Sequence, residues 1–144
     1  MPRTITFSST YPYSASTISS PTRRPVVPVR LFNTRDDSQI LDLSMLVDSG
    51  ADTTCLPLDV ATLLDIDVSS LQARVMRGVS GAAVTYRHEG ILMSLANTLV
   101  RCPVHFVPDL SVSLLGREGV FDAFIFGFEQ RASDVHVGVS FPSP

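Results

Sequence analysis

Short runs of Val, Ile, Leu, Phe and Thr recur along this chain between clusters of Gly, Pro, Asn and Asp, while helical periodicity is scarce. Apolar residues of this kind suit a pleated, half-buried surface and the breakers suit the turns between strands, so the pattern points to an all-β domain. The runs predict strands over Pro25–Phe32, Ile40–Val47, Gln72–Val79, Ala83–Leu95, Val100–Val107, Ala123–Glu129 and Asp134–Val139. Thr4–Phe7 alternates and is a further candidate. The serine-rich run Ser14–Ser20 reads as a mobile connector, which makes residues 1–22 an N-terminal arm or edge strand ahead of a domain spanning 23–144. Pro25 and Pro28 suit an edge strand better than a central one, because a proline donates no ladder hydrogen bond. Two short helices are expected. Pro57 fits a first helical position, with Leu58, Ala61 and Leu64 on one side after it. A second turn or two falls around Arg117–Phe121, limited by Gly119.

A length of 144 residues fits a single domain with a real core. The 11 basic and 14 acidic residues give a net charge of −3, and the basic residues are scattered except for Arg23 and Arg24. No phosphate-binding footprint results, so nucleic acid is not an expected partner. The apolar stretch from Gly90 to Val100 falls far short of the roughly 20 residues of a membrane span, and no membrane association is expected. The N-terminus has no continuous apolar core and no small-residue cleavage site, so the expected compartment is the cytoplasm. Cys55 and Cys102 lie in apolar contexts and read as two small buried hydrophobes. His88, His105 and His136 have no ligand spacing and read as scattered structural or surface residues, with no metal site expected. The FDAFIFGF stripe reads as alternating core packing.

Against this background the segment LVDSGADTTCLP, Leu46 to Pro57, stands out. A strand that places Leu41, Leu43, Met45 and Val47 on one face runs directly into Asp48, Ser49 and Gly50. A carboxylate at the end of a buried strand costs several kcal/mol in desolvation unless partners hold it. Ser49 can give its hydroxyl to a neighbouring chain, Gly50 lets backbone approach closely, and Asp52 and Thr53 add polar contacts. Asp-Ser-Gly is also ordinary turn chemistry. The second feature lies far downstream, where SLLGREGVFDAF, Ser113 to Phe124, leads a pair of aliphatics into Gly116, Arg117 and an acid.

Taken together, the two segments resemble the retropepsin-like aspartic proteases, the single-domain family of the retroviral proteases, and the short glycine-interrupted helix with its aromatic-rich strand is closer to the cellular and bacterial members. The resemblance covers about Pro25 to Val139 and implies a closed β-barrel with its active site at a homodimer axis. It makes Asp48 the catalytic aspartate and Ser49 the hydroxyl that braces the opposite active-site loop. Gly50 would accept a substrate hydrogen bond through its carbonyl. Ala51 and Asp52 would lie along the substrate backbone, with Asp52 pairing with Arg117. Leu114, Leu115 and Gly116 would form the loop that packs across the active site. Arg77-Gly78-Val79-Ser80-Gly81-Ala82 sits where the family has its flap, and Gly78, Val79, Ser80 and Gly81 would close over substrate. One aspartate per chain cannot serve as both acid and base, whereas a twofold axis brings two copies of Asp48 together. Such a pair shares a proton, so the chemistry needs no metal or organic cofactor.

The expected activity is therefore endopeptidase cleavage of a peptide or protein substrate by a homodimer, with apolar residues flanking the cut. The alternative is a non-catalytic module of the same fold that dimerises or binds extended peptides. Three roles stay open for the arm: a strand of its own domain, a strand of the partner, or a cover over the cleft. Asp52 and Arg117 admit a plain surface pair, and Gly78 and Gly81 a plain turn.

Overall fold

The computed structural model describes residues 4–17, 20–33, 40–78 and 81–140. Its elements in chain order are β1 (Ser9–Pro12), β2 (Ser14–Thr17), β3 (Ser20–Arg24), β4 (Val26–Phe32), β5 (Ile40–Val47), β6 (Thr54–Pro57), α1 (Leu58–Leu63), β7 (Gln72–Gly78), β8 (Gly81–Leu95), β9 (Thr98–Val107), β10 (Leu114–Leu115), α2 (Val120–Ala123), β11 (Phe124–Glu129) and β12 (Asp134–Val139). A single 3-10 turn, Val68–Ser70, joins α1 to β7.

Seven strands form one sheet in the order β4-β5-β10-β6-β9-β8-β7, and a further pairing of β4 with β8 closes six of them into a ring. The alternation read in the sequence builds the interior. Val27, Val29, Leu31, Met45, Leu56, Met93, Val104, Phe106 and Leu115 are buried inside the ring, with Leu41 and Leu43 packed at its margin. Helix α1 adds Val60 and Ala61 to the same core, and Leu64, which caps its C-terminus, joins them. Asn33, 3% exposed at the end of β4, donates from its side chain to the Leu64 carbonyl and so ties the ring to the end of that helix. Both cysteines are free and buried, and burial pushes the Cys55 thiol up to about 11 and the Cys102 thiol to about 12.

Several expectations shift by a few residues or change kind. Pro57 ends β6, and α1 begins at Leu58. The downstream helix is Val120–Ala123 because Gly119 takes φ +79°, a left-handed conformation that interrupts the helical path from Arg117. Strand β4 is an edge only in part. Pro28 faces Ser44 of β5, while the pairing with β8 begins at Arg30, so the proline falls where no second partner needs its missing N–H. Two further strands, β6 and β10, lie where the sequence reading placed the active-site and packing loops.

The N-terminal region differs most. Of the serine-rich run, Ser14–Thr17 forms β2, which pairs antiparallel with β3 through Ser14–Arg24 and Ala15–Arg23 and lies against β4 and β5, while residues 18–19 lie outside the described residues. Thr4–Phe7 is not a strand. Pairing starts with the Ser8 N–H donating to the Val137 carbonyl at 2.9 Å and continues as β1 against β12 of the same chain. In a second sheet, of order β1-β12-β11, β12 is the central strand, and the Phe7 ring rests 5.6 Å from the His136 ring. Tyr13 follows with 5% exposure inside the main core, its N–H on the Ser133 carbonyl at 2.7 Å.

Ser8–Tyr13 is thus part of the folded unit. Tyr13→Ala is expected to destabilise the chain by about 3 kcal/mol, the usual cost of deleting a buried aromatic ring. Urea denaturation of the variant checks this, since a dispensable arm would leave the midpoint unchanged.

Candidate functional site

Strand β5 delivers Asp48 to the rim of the ring, where it is half-buried and its N–H donates to the Leu115 carbonyl at 3.0 Å. The chain then turns tightly. The Gly50 N–H donates to Asp48 Oδ1 at 2.9 Å and the Ala51 N–H to the Asp48 carbonyl at 3.2 Å. Among the described residues, Asp48 Oδ2 has no protein hydrogen-bond partner, and Ser49 is exposed with none for its hydroxyl.

The two sequence segments meet here. Strand β10 lies between β5 and β6, parallel to the first through Leu114–Leu46 and Leu115–Val47, and antiparallel to the second through Leu114–Cys55. Backbone bonds continue past the strand. Arg117 N–H donates to the Ala51 carbonyl and Glu118 N–H to the Asp52 carbonyl, each at 2.9 Å. Gly116 N–H donates to Thr54 Oγ1 at 3.1 Å inside the core. A Cβ on Gly116 would stand 2.2 Å from the Thr53 carbonyl carbon, so only glycine allows this approach.

The side-chain pair between Arg117 and Asp52 forms as the resemblance implies, but its members are 57% and 84% exposed. At that exposure the pair contributes little stability, and the backbone bonds are the main fastening. Gly78 and Gly81 are opposed residues that close the β7–β8 hairpin, while Val79 and Ser80 lie outside the described residues.

Three residues near the site, Thr54, Arg87 and Glu89, were not picked out from the sequence. Thr54 is fully buried, and a threonine inside an apolar strand was the available signal. Thr53 donates to Glu118 Oε2 at 3.3 Å. Glu118 in turn accepts from Arg87 at 3.1 Å, and Arg87 also donates to Glu89 at 2.9 Å. His105, read as scattered, is buried at 8% exposure with Nδ1 2.9 Å from Thr85 Oγ1 and Nε2 3.3 Å from Arg87. Strand register hides this cluster from sequence, since its members come from β6, β8, β9 and the loop after β10.

The same register sets out a continuous row. Leu46 lies opposite Leu114, Leu114 opposite Cys55, Cys55 opposite His105, His105 opposite Arg87, and Arg87 opposite Gln72. Opposed side chains project from one face of a sheet, and Asp48 lies two residues beyond Leu46. The face away from the ring's core therefore runs from Asp48 to the base of the β7–β8 hairpin.

The cluster titrates in one sense. Its bond to Arg87 holds the Glu118 carboxyl below the ordinary range, and burial followed by the Arg87 charge pushes the His105 imidazole down. Both groups bind protons more weakly in the folded chain than in the unfolded one. Their contribution to stability is present at neutral pH and is lost on acidification, for His105 as pH falls below about 6.5 and for Glu118 below about 4.5. Among the described residues no group of three His, Cys, Asp or Glu could hold a metal ion, and no helix is long and apolar enough to cross a membrane.

A closed strand ring with an Asp-Ser-Gly loop clamped by a Leu-Leu-Gly-Arg segment defines the retropepsin-like class of aspartyl protease domains. A family model described as aspartyl protease matches residues 27–119, well over half of the chain, and the chain belongs to that family. The matched span takes in the ring from β4 through β10 together with both segments of the site. No curated protein matches the chain.

Two expectations follow. Gly116→Ala should destabilise the chain by about 3 kcal/mol, because its neighbour is backbone and cannot swing aside; thermal or urea denaturation reads this directly. Acidification from pH 7 to 5 should lower the denaturation midpoint, and His105→Gln should flatten that dependence.

Proposed function

We propose that this chain is an aspartic endopeptidase that works as a homodimer, with one Asp48 from each chain at the twofold axis. The observation that carries the reading is the Asp48 loop itself. It holds a half-buried carboxylate at the end of a core strand, braces it by backbone bonds from the β10 segment, and leaves Oδ2 without a protein partner among the described residues. An oxygen positioned this way is available to water and to a second carboxylate. The exposed Ser49 hydroxyl lies in the same loop and is suited to bracing the partner's loop across the axis.

In the dimer two adjacent carboxyls cannot both ionise and so share one proton. The ionised member takes a proton from a bridging water as its oxygen attacks the scissile carbonyl carbon. The protonated member donates to the carbonyl oxygen. When the tetrahedral intermediate collapses, the C–N bond breaks and the amine leaves with a proton returned by the pair. Substrate lies as an extended strand along Gly50, Ala51 and Asp52, and the Gly78–Gly81 hairpin tip, with Val79 and Ser80, closes over it. Arg117, Gly116 and Leu115 support the loop without touching substrate. Apolar Leu46 and Leu114 on the cleft face favour apolar residues beside the cut.

Cleavage of a mixed peptide library between pH 3 and 8, at two protein concentrations, tests the proposal. Product should form more than in proportion to protein, fall off as alkali removes the shared proton, and vanish in Asp48→Asn. A folded dimer without cleavage would replace the enzyme with a peptide-binding module of the same fold. Unchanged cleavage by Asp48→Asn would exclude Asp48 from the chemistry.

A further inference from the structure

The outward-facing row that starts at Leu46 ends in a cavity of about 550 Å³ at the base of the β7–β8 hairpin, lined by Arg74, Val75, Arg87, Glu89 and His105. Its two arginines and the two carboxylates around Arg87 sum to zero, but they are unevenly paired. Arg87 lies between Glu89 and Glu118, at 2.9 and 3.1 Å, and both carboxylates are committed to it. Burial, followed by the Arg87 charge, pushes the His105 imidazole down. Arg74 is different. Its guanidinium donates to the Gln72 side-chain oxygen at 2.9 Å, and among the described residues no carboxylate forms an ion pair with it. Arg74 lies opposite Thr85, whose side chain meets His105, so it shares the cavity's face.

We infer that this cavity is an outer substrate subsite that takes an acidic side chain, Asp or Glu, with Arg74 as the residue that selects it. The inference rests on the protease reading for its direction of approach. Four strand intervals of about 4.8 Å separate the Leu46 and Arg87 ends of the row, which an extended peptide rising about 3.3 Å per residue crosses in at most about six residues. The acidic residue therefore lies outside the pair that flanks the cut. Arg87 cannot serve in its place, because its donors are directed to Glu89 and Glu118 and its removal would leave both acids unpaired. The Arg74 guanidinium can form a two-pronged bond to an incoming carboxylate by releasing only a neutral amide.

The test uses ten-residue peptides with two apolar residues at the centre and Glu, Gln or Lys scanned through the outer positions. Cleavage by the wild-type chain, Arg74→Gln, Arg74→Glu and the exposed control Arg131→Gln is read by mass spectrometry at low salt. A second arm measures fluorescence polarisation of labelled Glu, Gln and Lys pools on Asp48→Asn, with and without the Arg74 changes, and needs no catalysis. Glu at an outer position should be preferred over Gln by about fivefold, as befits a partly exposed ion pair. The preference should be lost in Arg74→Gln, turn towards Lys in Arg74→Glu, and persist in Arg131→Gln. Glu-selective binding without cleavage by the wild type would overturn the catalytic reading and uphold the subsite. Equal handling of the three peptide forms, or a Glu preference that survives Arg74→Gln, would overturn the subsite.

Discussion

The structure depends on a two-residue strand. Leu114 and Leu115 fit between β5 and β6, and the site is built on the consequences of that insertion. A buried backbone must find partners for its polar groups, and here those partners are the two strands that flank the Asp-Ser-Gly turn. The turn cannot shift without breaking bonds on both sides. Gly116 extends the constraint, since its lack of a side chain allows the chain to pass against the Thr53 carbonyl and reach Ala51 and Asp52. The carboxylate of Asp48 is held by main-chain geometry more than by ion pairs.

A second layer of order is electrostatic. Glu118 directly follows the packing segment, and through Arg87 it reaches the hairpin strand β8, with His105 from β9 alongside. One short chain of contacts, Thr53 to Glu118 to Arg87, therefore joins the floor of the site to the base of the element that would cover it.

The legible and illegible parts of the molecule divide along physical lines. Strands with alternating burial, such as β5 with Met45 and Val47 inward, could be read because period-two patterning reports a face. The aspartate could be singled out because a carboxylate at the end of an apolar strand conflicts with its surroundings. The β2–β3 pairing was not legible because Ser and Thr give weak local signals, and these strands exist through their pairing with each other. The His105 and Arg87 cluster was invisible for a related reason. Residues 18 apart in sequence become neighbours only through the register of β8 on β9.

By itself the sequence determined the strand content, the aspartate with its serine and glycine, and the distant Leu-Leu-Gly-Arg segment, because each is a local pattern with a local physical meaning. Tertiary structure decided how those segments lock together, that β1 joins β12 of its own chain, that Pro28 falls where β4 has a single partner, and that Arg74 shares a face with the site. These facts belong to strand register and ring closure, which arise from long-range backbone pairing and are encoded in no single stretch of residues.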